Sequence, residues 1–267
     1  MPIEKNLRHI LRPGISPREI RRIRWRMYFH LAYAWSDLFR FAQLPTEALE
    51  AELVERDRSF VERLRDFLDR GGKLILLTAH LGNWEVGGLL AARAGLPISI
   101  VYVRDQFEVA ERFRSLLRRQ GDIEEIPLSL DDATSSLPIL RALHAGRIVA
   151  MQGDRDFRGN GEPMSFFGVT LRFPTGPFLL ARMAEAEILP VFFVYEPDGR
   201  FRFETGDFIR MERTANRQQD IRRALEKWCA VLEAAVGRWP DQWYTFYDFF
   251  ESGRCGPQER EAASDRY

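Results

Sequence analysis

Between residues 73 and 152, short apolar runs alternate with segments long enough to be helices, and this rhythm restricts the fold more than any other feature of the chain. Residues 73–78 (KLILLT), 98–103 (ISIVYV), 123–126 and 147–152 read as strands, and residues 83–94, 107–120 and 134–145 read as helices. Near-continuous apolar strands are those buried on both faces, and parallel neighbours need a crossover of about a dozen residues or more. The expected fold class is therefore α/β: a mostly parallel mixed sheet flanked by helices, with right-handed crossovers. Downstream, a polar Gly-rich loop (153–163) precedes a helix at 176–186. A strand at 188–195 then turns at Pro197-Asp198-Gly199 into a strand at 200–205, which predicts an antiparallel hairpin at the sheet edge. A helix at 217–236 leads to an aromatic segment at 239–250 and a polar tail at 251–267.

At 267 residues, with 45% hydrophobic, 12% aromatic and 29% charged residues, the chain suits one substantial core rather than disorder. Zero net charge gives no sign of a nucleic-acid partner. Cys229 and Cys255 have no metal-ligand spacing, so a reducing compartment is expected, and no N-terminal stretch has the order of a signal peptide. A helix at 17–43, opened by Ser16 and Pro17, carries Arg18, Arg21, Arg22, Arg24 and Arg26 before an apolar stripe that includes Tyr28, Phe29, Leu31, Trp35 and Phe39. Its most apolar part, residues 27–35, is far short of the roughly 20 residues a spanning helix needs. It reads either as a helix packed on the core or as one lying at a membrane interface. A second helix, 47–70, ends at Gly71-Gly72. The expected organisation is thus a basic amphipathic N-terminal helix within residues 1–45, a main domain at 46–250 and a tail at 251–267.

The candidate site begins in LTAHLGNWEVGG, residues 77–88. On one helix His80 and Glu85 lie far apart around the axis, and on one strand they face opposite ways. They can meet only if His80 ends a strand, Gly82-Asn83 turns, and Glu85 returns in the first turn of a helix capped by Asn83. Strand ends of this kind are where open α/β sheets bind ligands. Of the four histidines, His80 is the best placed to act as a base, oriented by Glu85; equally, Glu85 can serve only the helix while His80 is structural. Backbone N–H groups near Gly82-Asn83 are candidate oxyanion donors.

HLGNWE resembles the His-x4-Asp/Glu block of the glycerolipid acyltransferase superfamily, and the flanking residues resemble its bacterial lipid A late acyltransferase branch. Residues 149–156 (VAMQGDRD), Phe166-Phe167-Gly168, Pro174-Thr175-Gly176-Pro177 and Leu189-Pro190-Val191-Phe192 follow in the order of that branch's later blocks. Arg118, Arg119 and Gly121 are similar to its arginine-containing block. Asp154-Arg155-Asp156 with Gly159 and Gly161 is also similar to mycobacterial phosphatidylinositol mannoside acyltransferases. The usual membrane-spanning N-terminal helix of the lipid A enzymes has no counterpart here, and the ending 242–250 differs.

The resemblance implies transfer of an acyl chain from a thioester, on acyl carrier protein or coenzyme A, to a hydroxyl of a membrane lipid or glycolipid such as a lipid A precursor, without a bound cofactor or metal. It implies a peripheral protein on the cytoplasmic face of the inner membrane, with His80 as base and Glu85 as its orienting carboxylate. Asn83, Arg118, Arg119, Asp154, Arg155, Asp156, Phe167 and Thr175 are the expected substrate-binding residues: the arginines for phosphate, an aspartate to hold an arginine or the acceptor, and Phe167 with Phe166 and Phe173 for the acyl chain. Two other readings stay open. Asp154 and Asp156 after a strand can hold Mg²⁺ or Mn²⁺ in a glycosyl- or phosphotransferase, and a catalytically silent peripheral protein can keep the same fold to bind lipid.

Overall fold

Residues 1–11, 13–44, 58–103, 115, 118, 123–129 and 133–253 are described in a computed structural model of the chain. Strands β1 (Leu74–Thr78), β2 (Ile98–Tyr102), β3 (Glu124–Pro127), β4 (Ile148–Gln152), β5 (Glu162–Phe166), β6 (Val169–Phe173), β7 (Glu187–Tyr195) and β8 (Phe201–Thr205) build two sheets. The larger has the order β3-β2-β4-β1-β7-β8; all its pairings are parallel except β7 with β8, the expected hairpin at the edge.

The second sheet, the β5–β6 hairpin, falls partly in the segment read from sequence as loop. Burial alternates along it: Met164, Phe166, Val169, Leu171 and Phe173 point inward while Ser165, Thr170 and Arg172 point out. Its two-residue turn is made by Phe167 and Gly168, both at positive φ (47° and 73°), the backbone that matches the right-handed twist of the paired strands.

Helices α1 (Pro2–Ile10), α2 (Pro17–Gln43), α3 (Arg58–Asp69), α4 (Trp84–Arg93), α5 (Leu137–His144), α6 (Gly176–Ala184), α7 (Arg217–Arg238) and α8 (Phe249–Ser252) surround the main sheet. Alternate strand residues serve opposite faces. Ile75, Leu77, Val149, Ile188 and Phe192 pack with α5, α6 and α7, where Trp228 is fully buried. Leu74, Leu76, Ile98, Val191 and Phe193 pack with Phe41 of α2, Phe60 and Leu64 of α3 and Leu89 of α4. Of the helix expected at 47–70, the described part is α3. Of that expected at 107–120, only Ser115 and Arg118 are described, and both are helical. Arg119, Gly121, Cys255 and the tail from residue 254 lie outside the described residues.

Both readings of the N-terminal helix have a structural counterpart. Ser16 and Glu19 form a reciprocal capping box that starts α2. Ile20, Met27, Leu38 and Phe41 turn one face of it inward, and burying each such side chain contributes about 1.5–3 kcal/mol. Trp25, Phe29, Tyr33 and Phe39, all at least half exposed, stand on the other face with Arg18, Arg21 and Arg22. The preceding helix α1, absent from the sequence reading, ties the chain ends together: the Asn6 side chain donates to the carbonyls of Thr245 and Tyr247 and accepts from the Phe249 N–H.

The turn after β1 runs directly against the backbone of β7. Gly82 has φ +71°, and a Cβ placed there would lie 2.0 Å from the Phe193 carbonyl oxygen. Gly82→Ala is expected to cost at least about 2 kcal/mol in urea unfolding, because strain and clash coincide on backbone that cannot retreat; a loss within about 0.5 kcal/mol would show that the turn relaxes.

Candidate active site

β1 and β4 are adjacent, and Thr78 pairs with Gln152 across them. The Gly153 N–H continues the ladder to the Thr78 carbonyl at 2.9 Å. Two residues beyond Thr78 is His80, and two beyond Gln152 is Asp154. Matched register therefore delivers an imidazole and a carboxylate side by side at the carboxyl end of the sheet. His80 Nδ1 lies 2.8 Å from Asp154 Oδ1, the His80 backbone N–H donates to Asp154 Oδ2 at 3.1 Å, and Trp243 Nε1–H donates to the same oxygen at 3.2 Å.

Asp154 is 1% exposed. Burial opposes its ionisation, but the His80 ring, the hydrogen bonds it receives from His80 and the nearby Arg155 outweigh that and hold its carboxyl well below the usual carboxylate range. An ionised carboxylate only accepts, so Nδ1 of His80 carries the proton and Nε2 presents its lone pair. Burial is also the main reason the His80 pKa falls below its ordinary value; the Asp154 charge opposes the fall and the Arg155 charge adds to it. The ring is neutral near pH 7. Nε2 has no hydrogen-bond partner among the described residues, and the ring borders a cavity of about 900 Å³, toward the upper end of small-molecule sites.

The carboxylate that orients His80 is therefore Asp154, not Glu85. Glu85 does return in the first turn of α4, behind the Asn83 cap, but it turns to Arg118: Nη2 to Oε1 at 2.6 Å and Nε to Oε2 at 3.2 Å. A planar guanidinium matches both carboxylate oxygens at once, which an imidazole does not. The oxyanion role read for the Gly82-Asn83 amides also fails, because Gly82 N–H donates to the Gln242 carbonyl (2.9 Å) and Asn83 N–H to that of Phe193 (2.6 Å).

The cavity has an apolar part between α4 and the sheet. Leu76, Ile98, Ile100, Ala150 and Phe193 form its floor, Gly87, Gly88 and Ala91 of α4 its roof, and Phe60 and Phe203 join it from α3 and the edge strand. Helical glycines each cost about 1 kcal/mol relative to alanine; here a Cβ on Gly87 would lie 3.0 Å from Phe193 Cβ, and one on Gly88 3.2 Å from Ile100 Cδ1. Their bare backbone lets α4 lie close against β7 and β2 where it borders the cavity. Arg118, Arg155 and Asp156 border the cavity.

Phe167 and Thr175 do not line this cavity. Phe167 sits in the β5–β6 turn, its N–H donating to Glu233 of α7 at 2.7 Å, while Phe166 and Phe173 are core residues. Thr175 precedes α6 without a side-chain capping bond. Asn83 is 3% exposed and held by the Tyr195 hydroxyl and the Ala34 carbonyl, so its amide is spent on architecture. Asp156 accepts the N–H groups of Gly159 and Gly161, both at 2.9 Å, and shapes its own loop. With N–H donors converging on both Asp154 and Asp156, these carboxylates are set for holding protons and amides rather than a cation. Among the described residues no group of three His, Cys, Asp or Glu stands together to hold a metal.

The chain matches the sequence profile of the Bacterial lipid A biosynthesis acyltransferase family over residues 2–251. It belongs to that family. Among curated proteins it is similar to the phosphatidylinositol mannoside acyltransferase of Mycolicibacterium smegmatis, 27% identical over 165 residues that make up 62% of this chain and 53% of the relative. The protein of the same name from Mycobacterium tuberculosis is 27% identical over 166 residues, 62% of this chain and 52% of the relative. The chain thus spans about half the length of the curated relatives it matches. Among the described residues no helix is long and apolar enough to cross a membrane.

The Glu85–Arg118 pair is nearly solvent-free, with side-chain exposures of 13% and 6%. Glu85→Gln strands a buried cation and is expected to lower unfolding stability by about 3 kcal/mol, whereas Glu85→Leu with Arg118→Met together is expected to be near neutral. Equal losses in the two proteins, measured by urea denaturation, would contradict an ion pair of this kind.

Proposed function

We propose that the protein transfers an acyl chain from an acyl thioester to a hydroxyl group of a membrane lipid or glycolipid. The observation that carries the reading is a neutral His80 whose Nδ1–H is held by ionised Asp154, whose Nε2 has no hydrogen-bond partner among the described residues, and whose ring borders a cavity with an apolar part. Family membership supports the same reaction, and the names of the relatives favour a glycolipid acceptor.

In this mechanism Nε2 of His80 takes the proton of the acceptor hydroxyl as its oxygen attacks the thioester carbonyl. Asp154 stabilises the imidazolium that results. The tetrahedral intermediate collapses with loss of the thiolate, which takes the proton back from Nε2, so the enzyme ends as it began. The alkyl chain lies in the apolar space beneath α4. The developing oxyanion needs a donor, and in this reading Arg155 supplies it: the side chain borders the cavity, its Nε–H is buried without a hydrogen-bond partner, and Nη2 is anchored on the Tyr244 carbonyl at 2.8 Å. Acyl carrier protein and coenzyme A both present the thioester this chemistry requires.

The outer face of α2 is the proposed contact with the bilayer. Interfacial helices combine aromatic side chains with arginines, and Trp25, Phe29 and Tyr33 beside Arg18, Arg21 and Arg22 fit that pattern. A peripheral position at the cytoplasmic face of the inner membrane follows from this reading and the family's lipid chemistry.

General-base assistance of this kind contributes about 10²- to 10⁴-fold in rate. His80→Ala and Asp154→Asn are each expected to lose acyl transfer by that factor while staying folded, with turnover followed by a radiolabelled acyl group. Near-normal rates in either would sink the mechanism. Because the His80 pKa is lowered, the acidic limb of the parent's pH–rate profile falls below the ordinary imidazole value of about 6.5. Removing the Asp154 charge, which raises that pKa, moves the limb lower still. Replacing Arg18, Arg21 and Arg22 with Gln is expected to weaken binding to anionic vesicles by about 1 kcal/mol each at low salt, and vesicle sedimentation that shows no loss would remove α2 from the membrane contact.

A further inference from the structure

Arg118 is 5% exposed, and its guanidinium is held by two groups. Glu85 takes Nε and Nη2, and the Tyr102 ring lies beneath the group at 4.8 Å from its centroid. Nη1 is left over: it is buried, it has no hydrogen-bond partner among the described residues, and the side chain borders the cavity. Buried polar groups are nearly always paired, so the unpaired N–H of a guanidinium whose side chain borders a ligand cavity is a candidate partner for a ligand atom.

Charge decides what that atom is. The Glu85 carboxylate cancels the guanidinium charge at 2.6 Å, so the pair as a whole offers a directed N–H without net positive charge. That suits a neutral carbonyl oxygen and does not suit a phosphate, the partner expected for Arg118 from sequence. Position decides which carbonyl. Tyr102 ends β2, the strand whose Ile98 and Ile100 floor the apolar part of the cavity, and Glu85 stands one turn before Gly88 in its roof. A donor whose chain fills that space and whose thioester lies at His80 runs its thiol-side arm past this rim.

We propose that Arg118 Nη1–H binds an amide carbonyl in the thiol-side arm of the acyl donor, the pantetheine amide that acyl carrier protein and coenzyme A have in common. Arg118 is then a specificity-determining residue that selects pantetheine-type thioesters over simple ones. The inference rests on the acyl-transfer reading for the identity of the donor. It makes a separate demand, namely recognition of one amide.

The test is equilibrium binding by calorimetry in the His80→Ala protein, where turnover is blocked. Two probes are compared: S-octanoyl-N-acetylcysteamine, which keeps the amide nearest the thioester, and S-octanoyl ethanethiol, which lacks it. The amide-bearing probe is expected to bind about tenfold more tightly, as one hydrogen bond to a charged donor allows. The preference is expected to vanish in Arg118→Lys, whose ammonium cannot serve Glu85 in bidentate fashion and the ligand together, and in the Glu85→Leu, Arg118→Met double variant, which removes the donor without stranding a charge. Equal affinity for both probes with Arg118 intact, or a preference that survives in either variant, overturns the proposal. Acyl transfer by the parent protein with His80 intact is scored separately, so loss of transfer with the amide preference retained counts against the acyl-transfer reading alone.

Discussion

The hydrogen bond between His80 and Asp154 depends on a register. Because Thr78 is paired with Gln152, the chain needs no loop of special shape to bring the two side chains together; it needs only to leave both strands at the same level. What then has to be controlled is the path afterwards. After β1 the chain must turn at once into α4 without covering the imidazole, and Gly82 permits this by approaching the β7 backbone more closely than any side chain would allow. After β4 it must hold the carboxylate still. The Trp243 indole and the His80 amide do so, each donating to Asp154 Oδ2 and leaving Oδ1 for the ring. A carboxylate with one oxygen pinned in this way cannot rotate to offer its partner a different face.

This explains how far the sequence could be read. The strands and the edge hairpin were legible because their apolar runs are continuous and the turn at Pro197-Asp198-Gly199 is strongly marked. His80 was legible as the candidate base because it alone among the histidines stood at a strand end with a turn behind it. Its partner was not, because strand order cannot be read from one chain: β4 follows β1 by about 70 residues yet lies against it. Glu85 was close in sequence and carried the right charge, and that proximity misdirected the assignment. The β5–β6 hairpin was missed for a different reason. Polar and glycine residues run from 153 into the start of β5, so the alternation of Met164, Phe166, Leu171 and Phe173 has no turn signal to mark it, and a Phe at positive φ is an uncommon turn residue.

The two buried carboxylates near the cavity, each paired with a nitrogen base, divide the electrostatic work. At Asp154 the partner is a weak base that burial keeps neutral at rest, so the pair can accept a proton and return it. At Glu85 the partner is a guanidinium that does not release its proton under ordinary conditions, so the pair cannot take part in proton transfer and can only fix geometry. The difference in partner, rather than any difference between Asp and Glu, separates chemistry from positioning.

The N-terminal helix joins this arrangement to the outside of the molecule. Asp37 of α2 accepts the Tyr195 hydroxyl proton at 2.8 Å, and the Tyr195 oxygen in turn accepts from Asn83 at 3.2 Å, while Asn83 also donates to the Ala34 carbonyl and caps α4. Met27 and Ile20 pack with Tyr244, whose N–H bonds the His80 carbonyl at 2.8 Å. The residues that set the position of the imidazole are thus fastened to the inner face of the same helix whose outer face carries the exposed aromatics and arginines. A helix tied to the site through polar side chains at one point and apolar packing at another cannot shift along its axis without disturbing the turn at Gly82. In the proposed mechanism, a surface that holds the outer face of α2 would therefore also fix the direction from which a hydroxyl approaches Nε2 of His80.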